Sequence, residues 1–272
     1  IPDFQDAFPN DSNETQDNDG NGIGDNADAA QDNSVVTSFR FNNDFMDENG
    51  NYSASQAAGV SFSKDRFGNE NSSIYLSGQR LELDFPTLDN YTISFWIKYG
   101  QQMNFYPTLI NHGNWDESFV VWIYGTHPHY INHGLNNKLV VSDKDDVNQI
   151  VENASYLNIF NESLDLASSN NDIWKNVTIV CDNDITRLYI NGTYIGSSNL
   201  LISENIDNPK LYIGGGAPGH PYYQQSFYNG HIDDLVVFNR ALSDDDVMAY
   251  YYSDNSVFSY IASENGISWT DA

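Results

Sequence analysis

From Val35 onward the chain is organised in short runs whose apolar residues alternate with polar ones or stand unbroken. "VVTSFRF", "YTISFWIKY", "SFVVWIY", "KLVVS", "WKNVTIVC", "TRLYI", "KLYIG" and "HIDDLVVF" are of this kind, and Asn, Asp, Gly and Ser separate them. A period of two is that of a strand with one face buried, and an unbroken short run fits a strand buried on both. Within "LYINGTYIG", Asn191-Gly192 can take the positive φ values of a tight hairpin turn. "SDDDVMAYYY" is the one helical signal, with Ser243 as its cap and acids in its first turn. About a dozen strands and a single short helix predict an all-β fold, an antiparallel jelly-roll sandwich of two packed sheets.

Ahead of Val35 this texture is absent. "QDNDGNGIGDNAD" has almost nothing to bury, yet its oxygens are regularly spaced. With Asp17 as position 1, side-chain oxygens recur at Asp19, Asn21, Asp25 and Asp28, Gly22 stands at the sharp turn, and Ile23 offers its carbonyl. That is the ligand schedule of an EF-hand-like calcium loop, with Asp replacing the usual final Glu. "IPDFQD" aligns with "IGDNAD", which makes Asp3 and Asp6 the end of a preceding loop whose first half is missing. The pattern predicts a calcium-ordered repeat and a chain that is part of something longer.

Composition narrows the function. The 272 residues carry a formal net charge of −27, so nucleic acid and anionic membranes are unfavoured partners. That charge suits a protein that collects cations or stays soluble in salt. Cys181 is the only cysteine, which excludes an intrachain disulfide, and its apolar surroundings predict an inert core thiol. No run reaches the length of a membrane-spanning helix, and no secretory leader is visible. The division expected is a repeat over residues 1–32, a sandwich over 33–252, and a tail or extra edge strand over 253–272.

Two resemblances follow from these motifs. "DAFPNDSNETQDNDGNGIGDNAD" resembles the bacterial form of the thrombospondin type 3 repeat, which implies a calcium-stiffened spacer. "YTISFWIKY", "WKNVTIVCDNDITRLYINGTYIGSS", "LYIGGG" and "YNGHIDDLVVFNRALSDDDVMAYY" resemble the laminin G-like, concanavalin A-like, pentraxin-like jelly rolls of bacterial secreted and surface proteins. The second resemblance implies a binding module, often for carbohydrate and often with calcium. A further calcium site is implied at "MDENGNYS", where Asp47 and Asn49 occupy the place of a family loop that often reads D-x-S-G-N, with Asp234 of "HIDDL" beside it. An Asx turn closing a hairpin explains the same residues equally simply.

Sugars are gripped by flat aromatic faces together with amides and carboxylates. Three loops are rich in these groups. "NHGNWDES" offers Asn111, His112, Trp115 and Asp116; "YGTHPHYINHG" offers His127, His129 and Tyr130; "GGGAPGHPYYQQSFY" offers His220, Tyr222 and Tyr223. The histidine spacing, with no cysteine nearby, suits hydrogen bonding or stacking better than zinc. The nearest pair of catalytic carboxylates is Glu82 and Asp84 of "RLELDF", a spacing common on any solvated strand face. No serine-hydrolase or metalloprotease motif occurs. The expected function is therefore glycan recognition without catalysis, with Ca2+ as cofactor, as the accessory or adhesive part of an extracellular protein of a marine bacterium. Docking to a cell-surface protein is the first alternative and a polysaccharide-degrading enzyme the second. Membrane insertion is not expected, and the oligomeric state is left open.

Overall fold

In a computed structural model, residues 34–48, 50–56, 59–85, 88–100, 106–113, 120–123, 128, 138–142, 157–158, 174–183, 185–198, 210–217 and 226–254 are described. The repeat, the tail beyond Asp254 and most of the three loops just named lie outside them.

Two antiparallel sheets stack into a sandwich. The first contains β1 (Val35–Phe39), β3 (Ser61–Ser63), β4 (Ser73–Ser77), β6 (Tyr91–Tyr99), β11 (Trp174–Asp182), β12 (Ile185–Ile190), β13 (Thr193–Ser198) and β15 (Asn229–Phe238). The second contains β2 (Ser55–Gln56), β5 (Leu81–Asp84), β7 (Thr108–His112), β8 (Val120–Ile123), β9 (Lys138–Ser142), β10 (Leu157–Asn158) and β14 (Lys210–Ile213). The first sheet runs β13-β12-β11-β6-β15-β4-β3, with β1 also paired to β15; the second runs β10-β9-β8-β7-β14-β5-β2. The predicted jelly-roll class is the one found.

Alternation decides which side chains meet between the sheets, because successive residues of a strand face opposite sides. In β6, Tyr91, Ile93, Phe95, Ile97 and Tyr99 point inward, and Val177, Ile179 and Cys181 do so from the adjacent β11. Leu211 and Ile213 of β14 and Val121 and Ile123 of β8 complete the core from the other sheet. Each such side chain, taken fully out of water, contributes about 1.5–3 kcal/mol. Cys181 is buried among them, and desolvation pushes its thiol up to about 12, as suits an inert core residue.

The outer face of the first sheet is half covered. The helix α1 (Asp244–Asp254) lies across it, with Val247 and Leu242 packed on Val180, Tyr189, Val236 and Phe238. Ser243 caps this helix as its sequence predicts. Its Oγ accepts the Asp246 N–H at 3.1 Å, and Asp246 Oδ2 accepts the Ser243 N–H at 3.0 Å. Further along that face, Asn176 donates to Ser94 Oγ at 3.0 Å and Thr178 donates to Asn176 Oδ1 at 3.0 Å, a buried polar chain whose members satisfy one another. The β12–β13 turn is closed by Asn191 at φ 49° and Gly192 at φ 72°, the left-handed pair that an Asn-Gly turn requires.

Candidate functional site

Where the loops leave the sheets is set by strand register. β7 pairs with β8 so that Asn111 faces Val120 and Thr108 faces Trp122, and β14 runs antiparallel to β7 with Ile213 beside Ile110. β8 in turn ends where β9 begins, Ile123 facing Leu139. Connections 124–137 and 214–228 therefore spring from the end of the sandwich where β7 starts, the upper end. Connection 113–119 springs from the lower end, where the Gly113 N–H bonds to the Lys210 carbonyl. The three loops that look alike in sequence do not share one attachment. Trp115 and Asp116 belong to a lower loop, whereas His127, His129, Tyr130, His220, Tyr222 and Tyr223 belong to the two upper ones; all eight lie outside the described residues.

Asn111 and His112 require a correction. They were expected in an exposed loop, but both belong to β7 and are 0% and 1% exposed. Asn111 Oδ1 accepts the Ala217 N–H at 2.9 Å and its amide donates to the Gly113 carbonyl, so it ties the strand to the start of the upper loop. His112 turns inward, its ring at 5.5 Å from Phe85 and 6.1 Å from Tyr91, and burial pushes it down to about 4. A neutral imidazole in an aromatic cage is a core residue, out of reach of a surface ligand.

Asp234 is also differently engaged than expected. It sits at a bulge in β15, where the register shifts between Asp233 and Val236, and adopts φ 43°. One carboxylate oxygen accepts from Arg40 at 3.3 Å and the other from Arg66. Arg66, 5% exposed, lies 3.5 Å from Asp233 as well. Two guanidinium groups thus neutralise Asp234, and it does not stand as an open cation ligand. Asp233 keeps only a share of Arg66, and desolvation followed by the neighbouring Asp234 charge pushes it up to about 9. Asp47 is different again. Its Oδ1 accepts the Tyr52 N–H at 2.7 Å, while its buried Oδ2 has no hydrogen-bond partner among the described residues. Among the described residues no group of three or more His, Cys, Asp or Glu could hold a metal ion, and Asn49 lies outside them.

The outer face of the second sheet is polar and aromatic at its upper end. Arg80, just ahead of β5, reaches the Gly216 carbonyl and Glu82 and lies 4.6 Å above the Tyr212 ring. Glu82 also meets Lys210 at 3.7 Å, so it is held between two cations, while Asp84 is 91% exposed. Trp122 of β8 is half-buried and packs on Tyr106 at 5.7 Å. Sequence reading passed over Arg80, Tyr106, Trp122 and Tyr212. Their signal was strand phase, since Trp122 and Tyr212 alternate with the core residues Val121, Ile123, Leu211 and Ile213. Arg80 and Tyr212 are themselves buried, so among the described residues the rings this end offers a polyhydroxylated ligand are the half-buried Trp122 and Tyr106.

These features define a two-sheet sandwich of the concanavalin A-like kind. The description "Concanavalin A-like lectin/glucanases superfamily" matches residues 67–248, and the chain belongs to that family. No curated protein sequence matches it significantly. Among solved structures it is similar to the binding domain of Paraclostridial Mosquitocidal Protein 1, with a TM-score of 0.59, 20% identity, 82% of this chain covered and 53% of that one. A botulinum neurotoxin serotype D ligand binding domain in complex with N-acetylneuraminic acid gives TM-score 0.56 and 19% identity, covering 82% of this chain and 52% of that one. Domain 4 of AbnA, a GH43 extracellular arabinanase from Geobacillus stearothermophilus, in complex with arabinotriose, gives TM-score 0.54 and 17% identity, covering 79% of this chain and 97% of that one. The chain thus spans about half the length of the toxin domains, and at these identities the likeness is one of fold.

Proposed function

We propose that this chain is the carbohydrate-recognising, calcium-binding module of a larger secreted or surface protein, and that the glycan is held at the upper end of the sandwich. One observation carries the reading. The two loops richest in histidine and tyrosine attach to the same end as the half-buried Trp122 and Tyr106, so strand register gathers sugar-type contacts from distant parts of the chain. The sugars named with two of the structural neighbours are in keeping with it.

Calcium enters at two places. The spacing of Asp17, Asp19, Asn21, Ile23, Asp25 and Asp28, preceded by Asp3 and Asp6, fits a calcium loop that the segment needs as its core. In the sandwich, the unpartnered buried Oδ2 of Asp47 is what a hard cation would satisfy, with Asn49 close in sequence. Asp234 is left out of that set because its oxygens face arginines.

The test is a glycan-array screen of the chain in millimolar calcium and again in EDTA, repeated with Trp122→Ala, Trp115→Ala and Tyr222→Ala. We expect a saccharide signal that Trp122→Ala and Tyr222→Ala abolish and that lower-loop Trp115→Ala leaves in place. A blank array from correctly folded protein would sink the reading and favour protein–protein adhesion.

A further inference from the structure

The acidic residues are distributed along the sandwich with a clear bias. Thirteen connections join β2 through β15, and each can be placed by register. The six at the lower end, 64–72, 85–90, 113–119, 143–156, 183–184 and 199–209, all contain Asp or Glu. Of the seven at the upper end, 57–60, 78–80, 100–107, 124–137, 191–192 and 214–228 contain none, and only 159–173 contains acids. Six of these seven upper connections thus lack acids, the exception being 159–173, which carries Glu162, Asp165 and Asp172 and leads into Trp174. Solubility does not call for this, since acids at either end would serve it equally.

On the outer face of the first sheet, this upper end carries a row of side chains in register. Tyr75 of β4 faces His231 of β15, His231 faces Lys98 of β6, and Lys98 faces Trp174 of β11. The Tyr75 and His231 rings are 5.0 Å apart and the His231 and Trp174 rings 5.8 Å apart, while Lys98 Nζ lies 5.5 Å from the Trp174 centroid. Tyr75 is 37% exposed and the other three are half-buried. α1 does not close the row: Tyr251 stacks on Trp96, two residues further down β6. Four strands put the row at about 14 Å, the length of two to three sugar units. Gly230, at φ 153°, lets β15 approach β6 here; a Cβ would stand 2.6 Å from the Lys98 carbonyl.

We propose that this row is a subsite for an anionic polysaccharide, one bearing carboxylate or sulfate groups, and that the six acid-free connections at the upper end serve to admit it. The proposal rests on the carbohydrate reading above and names its ligand class. Trp174 and Tyr75 offer faces to the sugar C–H surfaces, Lys98 supplies positive charge to the acid group, and His231 adds a polar ring beside it. A net charge of −27 repels a polyanion in general, so attraction is confined to the surface whose connections are poorest in acids.

Affinity electrophoresis at pH 7 through gels containing polygalacturonate, a sulfated galactan or unsubstituted galactan tests this. We expect retardation by one or both acidic polymers, whichever acid group the subsite fits, declining as salt is raised. Lys98→Gln should weaken it about two- to fivefold, the effect of one exposed ion pair. Trp174→Ala should weaken it about tenfold, with circular dichroism confirming the fold. Lys64→Gln, which removes the same charge at the exposed lower end, should leave it unchanged. Equal losses from Lys98→Gln and Lys64→Gln would reduce the effect to overall charge and overturn the subsite. Retardation by neutral galactan alone would overturn the anionic class while leaving carbohydrate recognition standing. No retardation by any of the three would overturn the proposal, and the glycan array then judges the broader reading separately.

Discussion

The Arg66 guanidinium lies 4.5 Å above the indole ring of Trp96, and from there it reaches both Asp233 and Asp234. Tyr251 of α1 stacks on Trp96 at 5.8 Å, so one charge cluster joins a loop, two central strands and the helix. Both Arg66 and Asp233 are almost fully buried, and a buried ion left without its partner costs far more than the pair contributes.

Arg66→Met should therefore lose about 3–5 kcal/mol of stability at pH 7, because the buried Asp234 carboxylate then keeps only Arg40 and Trp96 loses the guanidinium stacked on it. Asp233→Asn should be at least as stable as the parent at pH 8, since it removes the charge that the site disfavours. Asp233 is raised to about 9, so its contribution is complete below the ordinary carboxylate range and is lost as pH rises toward 9. Urea denaturation of both variants at pH 5 and pH 8 checks this; an Asn variant clearly weaker than the parent at pH 8 would contradict it.

His112 works in the opposite direction. It is lowered from 6.5 to about 4 by burial, so the neutral ring's contribution is complete above pH 6.5 and is lost as pH falls toward 4. The loss over that window is about 3 kcal/mol. A His112→Phe variant should show a correspondingly flatter fall in stability between pH 6.5 and pH 4. Parallel curves for parent and variant would show that His112 does not titrate with unfolding.

Removal of calcium should act on the two modules unequally. EDTA is expected to open the first 32 residues to protease while the sandwich keeps its near-ultraviolet circular dichroism. If calcium also binds at Asp47, added calcium raises the thermal midpoint of the sandwich by about 2–4 °C, and Asp47→Asn abolishes that rise. A single transition in which the whole chain melts together on chelation would refute the two-module division.

Asn176 occupies an N-x-T sequence but is 0% exposed, with its amide in the Ser94–Thr178 chain. Secretion from a glycosylating host should leave it unmodified, as peptide mapping would show, and Asn176→Ala should cost about 1–3 kcal/mol through the unpaired groups left behind. Glycan found on Asn176 would mean that β11 pairs only after modification.

Local pattern already specified much of this molecule. The runs "YTISFWIKY" and "KLVVS" coincide with β6 and β9, the Asn191-Gly192 turn closes the hairpin it implies, and Ser243 caps the helix it precedes. Such signals are legible because they depend on neighbours in the chain: a period of two, a turn's φ values, a cap's hydroxyl. β7 was misread because it is buried on both faces, so "TLINH" shows no alternation, and its polar end looks like a loop until Ala217 and Phe85 are brought against it. The calcium spacing is likewise local, whereas the fate of Asp234 depended on Arg40 and Arg66, both far away in sequence. Charge, too, is visible in the sequence only as a total; strand register alone sends the acid-free connections to one end and aligns Tyr75, His231, Lys98 and Trp174 across four strands. Sequence by itself determined the strands, the turn, the cap and the calcium-loop spacing. Tertiary structure decided which loops share an end and which charges meet, because those contacts join residues that only the closed sandwich brings together.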